Sequence, residues 1–96
     1  MSREEILKSL QERQAELRQR GVRSLAVFGS VARGDFSAGS DLDVLVEFDR
    51  SVGLFEFMRL KFYLEQPTGC PVDLVTADAL RPVMRDRILE EAVYVR

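Results

Sequence analysis

Two aspartates on one face of an otherwise apolar strand constrain this chain more than any other feature. In Asp41-Leu42-Asp43-Val44-Leu45-Val46, alternation turns Asp41, Asp43 and Leu45 one way and Leu42, Val44 and Val46 the other. Aspartate is disfavoured in strands and unpaired carboxylates are costly to bury, so such a face calls for a compensating cation. Upstream, Leu25-Ala26-Val27-Phe28 is continuously apolar, as in a strand covered on both faces, and Gly29-Ser30 breaks it sharply. A glycine at a strand-to-helix turn lets a ligand approach the backbone, and the N–H groups opening the helix, with the serine hydroxyl, offer donors to an anion. Ten residues separate Ser30 from Asp41, and a further carboxylate, Asp73, interrupts the apolar run Val72 to Val75.

The remaining chain reads as support for these places. Ser2-x-x-Glu5 has the form of a capping box and opens a polar helix expected to run to about Arg20, with Ile6, Leu7, Leu10 and Leu17 as its apolar stripe and Gly21 as its stop. A first strand is expected from Val22 to Phe28, a short helix from Ser30 to about Asp35, a loop over Phe36 to Ser40 and a second strand from Asp41 to Phe48. A second long helix is expected from Gly53 to about Glu65, with Leu54, Met58 and Phe62 at helical spacing and Phe55, Leu60 and Leu64 widening the stripe, ended by Pro67-Thr68-Gly69. The third strand spans Pro71 to Val75. A last helix starts near Pro82 and runs to about Ala92, with Val83, Ile88, Leu89 and Ala92 as its apolar members, before a short strand or docked tail at Val93 to Val95. The expected fold is α/β (α+β), a small mixed sheet flanked by helices in one domain over residues 1–96.

Composition narrows the function classes. There is no histidine, which excludes histidine catalysis and histidine-ligated metal, so any metal is held by oxygen. The single cysteine, Cys70, forbids an internal disulfide and is expected to be structural. A net charge of −2 without a basic stripe argues against long nucleic acid as a direct ligand. No apolar run reaches membrane-span length and the N-terminus lacks a signal-peptide core, so a cytoplasmic location without membrane contact is expected.

Asp41 and Asp43 would place their Cα atoms ~6–7 Å apart on one strand face. That suits two cations ~3.5–4 Å apart, the arrangement of two-metal phosphoryl transfer. Mg²⁺ fits because it keeps waters and takes further ligands from substrate phosphates. If the strands of Asp43 and Asp73 are neighbours, Asp73 reaches the same ions, and one carboxylate can accept the proton of an attacking hydroxyl. Gly-Ser and Asp-x-Asp are each common alone. At ordinary residue frequencies their combination at this spacing arises about once in 10³ chains of this length.

Gly29-Ser30-x-x-Arg33-Gly34, Ser40-Asp41-x-Asp43 and Val72-Asp73-Leu74-Val75 together resemble the minimal nucleotidyltransferase (MNT) family within the polymerase-β-like superfamily, and the resemblance spans nearly the whole chain. It implies that Asp41 and Asp43 bind two Mg²⁺ ions, that Asp73 completes the catalytic metal site, and that Gly29 and Ser30 hold the triphosphate of ATP. Arg33 and Ser40 join the candidate nucleotide-binding set, although Arg33 could equally brace the turn and Ser40 could instead cap the strand or position Asp41. The implied reaction moves AMP from ATP onto a hydroxyl. Short members of this kind resemble antitoxins that act on a tyrosine of a HEPN-type RNase toxin partner. Larger relatives carry a second domain for the acceptor; here the acceptor is expected on a partner, with Phe55, Phe57, Phe62 and Tyr63 as candidate contact residues.

Three other readings remain at this level. The chain could be the catalytic subunit of a small-molecule nucleotidyltransferase with a separate substrate-binding subunit. It could be a non-catalytic module that neutralises its partner by contact. It could be a domain whose aspartates only bind a stabilising cation.

Overall fold

The computed structural model describes residues 2–34 and 41–95. The expected loop over 36–40, with its candidate Ser40, and the far end of the short helix at Asp35 lie outside the described residues.

Ser2 caps α1 (Arg3–Gln11) through a complete capping box: its hydroxyl accepts from Glu5 N–H and Glu5 Oε1 accepts from Ser2 N–H, both at 3.2 Å. The expected single helix to Arg20 is in fact two, α1 and α2 (Gln14–Gln19). The break has a local cause. Arg13 Nη1 donates to the Ser9 carbonyl at 2.8 Å, while Arg13 N–H turns to Leu10 O at 3.1 Å, so an i→i−3 turn replaces the α-helical bond.

Among the described residues four strands follow: β1 (Val22–Phe28), β2 (Leu42–Phe48), β3 (Val72–Thr76) and β4 (Val93–Tyr94). They form one mixed sheet in the order β3-β2-β1-β4, with β1 antiparallel to β2 and β4 and β2 parallel to β3. Parallel neighbours need a crossover, and α4 (Leu54–Thr68) supplies it. The short α3 (Ser30–Arg33) lies between β1 and β2, and α5 (Pro82–Glu91) precedes β4.

The sheet is covered unequally on its two faces. Leu25, Val27, Leu42, Val44, Val46, Val72 and Leu74 pack with Ile6, Leu10, Leu17, Leu60 and Leu64 into the main core. Val22 joins them despite its even number, because a register shift between Val22 and Ser24 reverses the alternation. Ala26, Leu45 and Ile88 form the smaller core on the opposite face, with Phe28, Val75, Leu80 and Ala92 against it. The strand Leu25 to Phe28 is thus covered on both faces, as its continuous apolarity requires.

Two expectations about the helices need correction. Pro67 does not end α4, which continues to Thr68. Proline cannot donate to the Tyr63 carbonyl, but it sits in the final turn, where Thr68 Oγ1 bonds Leu64 O at 2.8 Å and Gly69 N–H bonds Glu65 O at 2.8 Å. The buried stripe of α4 is Leu60, Leu64 and Thr68; Leu54 and Phe62 lie on the outer side, as do Val83 and Leu89 of α5. Of the four nominated aromatic residues, Phe55 (83%) and Phe62 (52%) are exposed. Phe57 packs edge-on against Phe48, while Tyr63 lies under Arg20 and donates its hydroxyl proton to Glu16 Oε2 at 2.7 Å. Cys70 is half-buried against the main core.

Leu64 is fully buried between α4 and the sheet. Leu64→Ala is therefore expected to cost about 2–5 kcal/mol in denaturant unfolding. Phe62→Ala, two positions away on the outer side, should stay within about 0.5 kcal/mol of the parent.

Candidate functional site

The register of β1 against β2 builds the site. Phe28 pairs with Asp43, so the turn that ends β1 is delivered directly beside that carboxylate. Gly29 holds φ 73 and ψ −145, a conformation close to glycine's own territory, and a Cβ at this position would overlap Asp43 Oδ2. Glycine is thus required twice, once for the backbone and once for the approach of the aspartate. Ser30 opens α3 immediately afterwards and is half-buried.

The parallel register of β2 against β3 adds the third aspartate. Asp43 pairs with Asp73, so both side chains leave the same face from adjacent positions about 4.8 Å apart. That face also carries Leu45 and Val75 of the smaller core, so the two carboxylates stand at the end of an apolar row. Asp41 lies two residues before Asp43, just ahead of β2. Glu65 fixes the start of β3: its Oε2 accepts from Val72 N–H and from Lys61 Nζ, each at 2.9 Å. Val72 in turn precedes Asp73.

Like charges at paired positions repel, and this is visible in Asp43. Its carboxyl is held above the ordinary aspartate value of 3.8, first by burial and then by the negative charges of Asp73 and Asp41. Arg33 opposes the shift and Glu91 adds to it. Arg33 Nη1 lies 3.5 Å from Glu91 Oε1, and the same oxygen accepts from Gly29 N–H at 3.2 Å.

The structure therefore gathers Gly29, Ser30, Arg33, Asp41, Asp43 and Asp73 at one end of the sheet; Ser40 is outside the described residues. Glu91 is a participant that the motif did not reveal. A signal was present: an acidic residue in the last turn of a helix opposes the helix dipole and invites a search for a local partner.

Among the described residues, no three His, Cys, Asp or Glu side chains stand close enough together to hold a metal ion between them. The donor set nevertheless fits Mg²⁺. It consists of hard oxygens, with Asp41 and Asp73 exposed and Asp43 half-buried, in mutual repulsion that a divalent cation would relieve. Mg²⁺ commonly takes one or two carboxylates and fills its shell from water and phosphate, so an open carboxylate face suits it better than a cage would. A groove of about 1020 Å³ opens elsewhere, near the far end of β2, lined by Phe48, Phe57, Thr76, Arg85 and Leu89. It contains none of these candidate residues.

Comparison with known proteins identifies the family of the chain. The model of the nucleotidyltransferase domain family matches residues 3–95. The protein adenylyltransferase MntA of Thermococcus cleftensis is 43% identical over 93 residues, which cover 96% of this chain and 94% of that protein. A solved structure provisionally described as a minimal nucleotidyltransferase superposes with a TM-score of 0.83 at 38% identity, covering 97% of this chain and 95% of the other. A chain of the complex between a tri-AMPylated Shewanella oneidensis HEPN toxin and its MNT antitoxin superposes with a TM-score of 0.66, covering 94% of this chain and 71% of that one. At 16% identity this last likeness is one of fold.

The raised carboxyl of Asp43 has a consequence for stability. An acid whose folded pKa exceeds its unfolded value stabilises the fold below the unfolded value, and that contribution is lost as pH rises through the folded one. Without divalent cations, Asp43→Asn should therefore raise the melting temperature at neutral pH. The gain should shrink as pH falls below the ordinary aspartate value of 3.8. Melting curves recorded in chelator at both pH values check this.

Proposed function

The chain belongs to the nucleotidyltransferase domain family, and on that premise we propose that it is a metal-dependent enzyme that transfers AMP from ATP to a tyrosine hydroxyl of a HEPN-type RNase toxin, acting as the antitoxin of the pair. The observation that carries this reading is the paired register of Asp43 and Asp73 beside the Gly29 turn. The relative in Thermococcus cleftensis is named a protein adenylyltransferase, which supports AMP as the transferred group and protein as the acceptor. The fold shared with a chain of an AMPylated HEPN toxin complex supports the class of partner.

In this reading Asp41 and Asp43 hold two Mg²⁺ ions and Asp73 completes the site of the catalytic one. When bound, the ions supply charge neutralisation for the triphosphate and the developing pyrophosphate. The chain's own residues do the rest. Gly29, having no side chain, lets phosphate oxygens approach the backbone, and Ser30 offers its hydroxyl. Arg33 gives the triphosphate a cationic donor, and Ser40 completes the nucleotide-binding set. A carboxylate of the aspartate group accepts the proton of the attacking hydroxyl as its oxygen bonds to the α-phosphorus. The bond from that phosphorus to the pyrophosphate oxygen breaks, so pyrophosphate leaves and AMP remains on the acceptor.

α-Labelled ATP and Mg²⁺, incubated with this protein and its cognate partner, should place label on the partner. Asp43→Asn should abolish the label while retaining the far-UV circular dichroism of the parent. Chelation of divalent cations should abolish it as well. Label that persists at the parental rate in folded Asp43→Asn would contradict the assigned role.

A further inference from the structure

Glu91 reaches the Gly29 turn from the other end of the chain, 62 residues away. It closes α5, while the turn closes β1, so one side chain bolts the last helix to the turn. Its position is electrostatically awkward. A carboxylate in the last helical turn opposes the dipole, and this one adds to the negative field on Asp43. Such a placement needs a local return, which comes from two contacts on a single oxygen. Oε1 accepts from Gly29 N–H at 3.2 Å and lies 3.5 Å from Arg33 Nη1. Both partners belong to the turn and to α3, which has no side-chain cap of its own. Glu91 is half-buried, so the bond to Gly29 is partly shielded from water.

The consequence for the site follows from where Gly29 stands. Its conformation is one that few residues adopt, and it must leave room for Asp43 Oδ2. A turn held in such a conformation drifts unless its surroundings fix it. β1 fixes it on one side through the Phe28–Asp43 pair, and Glu91 fixes it on the other. We infer that Glu91 is a positioning residue for nucleotide binding: by tying Gly29 N–H and Arg33 to the end of α5, it holds the turn preformed beside Asp43 in the shape that receives the triphosphate. This rests on the reading above that the triphosphate lies at Gly29 and Ser30. Glu91 itself touches no substrate.

The test compares Glu91→Ala with Glu91→Gln in the full chain. The glutamine oxygen can still accept from Gly29 N–H, whereas alanine cannot. Two readouts are taken. The first, without nucleotide, is the amide resonance of Gly29 and its hydrogen-exchange rate. The second is the split between KM for ATP and kcat in the transfer assay. Glu91→Ala should shift the Gly29 amide upfield, speed its exchange and raise KM about tenfold, as expected for a lost hydrogen bond to a charged group. Its kcat should stay within about threefold, and Glu91→Gln should bring KM back to within about threefold of the parent. The inference is overturned if the Gly29 amide is unchanged in Glu91→Ala, or if KM is unchanged although the amide moves. It is also overturned if Glu91→Gln is as impaired as Glu91→Ala. Failure of the underlying reading shows up separately, as a parent protein that neither binds nor transfers nucleotide; that outcome removes the positioning role too.

Discussion

The structure turns on a repulsion. Parallel pairing of β2 with β3 sets Asp43 directly beside Asp73, and the chain brings Asp41 to the same end of the sheet. Adjacent like charges on one strand face are unfavourable, and the carboxyl of Asp43 is held above its ordinary value first by burial and then by the charges of Asp73 and Asp41. A fold assembled for stability alone would place apolar residues there, as it does at Leu45 and Val75 on the same face. Under the proposed function, that face is completed by a cation and an anionic substrate arriving together.

The surrounding elements can each be traced to that face. The main core, on the side of α1, α2 and α4, holds most of the buried apolar residues. The thinner cover from α5 leaves the other face open enough for the aspartates to meet solvent. The pairing of β1 with β2 delivers Gly29, and the absent Cβ makes the close approach to Asp43 tolerable. Glu65 sets the start of β3 and Glu91 braces the turn, so two further carboxylates are spent on orientation.

Much of this was legible in the sequence because the site is local. Gly29-Ser30 opens α3 and Asp43 lies on the next element, β2, with Asp41 just ahead of that strand, so nearby residues carry most of the pattern. The boundaries of β1, the capping box at Ser2 and the start of α5 at Pro82 likewise follow from nearby residues. What escaped depends on where particular side chains go, within a turn or across the fold. The break between α1 and α2 turns on where the Arg13 side chain goes. The buried stripe of α4 is Leu60, Leu64 and Thr68, whereas hydrophobicity alone also nominated Leu54 and Phe62. Glu91 was missed because its role lies in a contact across 62 residues, which no local pattern encodes.

Under the proposed function, the aspartate face binds nucleotide only in company with divalent cation. Calorimetric titration of ATP into the protein, with Mg²⁺ and then with chelator, tests it most directly. Binding with Mg²⁺ should be at least about a hundredfold tighter, because without the cation the triphosphate meets three uncompensated carboxylates. Equal affinity under both conditions would contradict it and would place the nucleotide away from Asp41, Asp43 and Asp73.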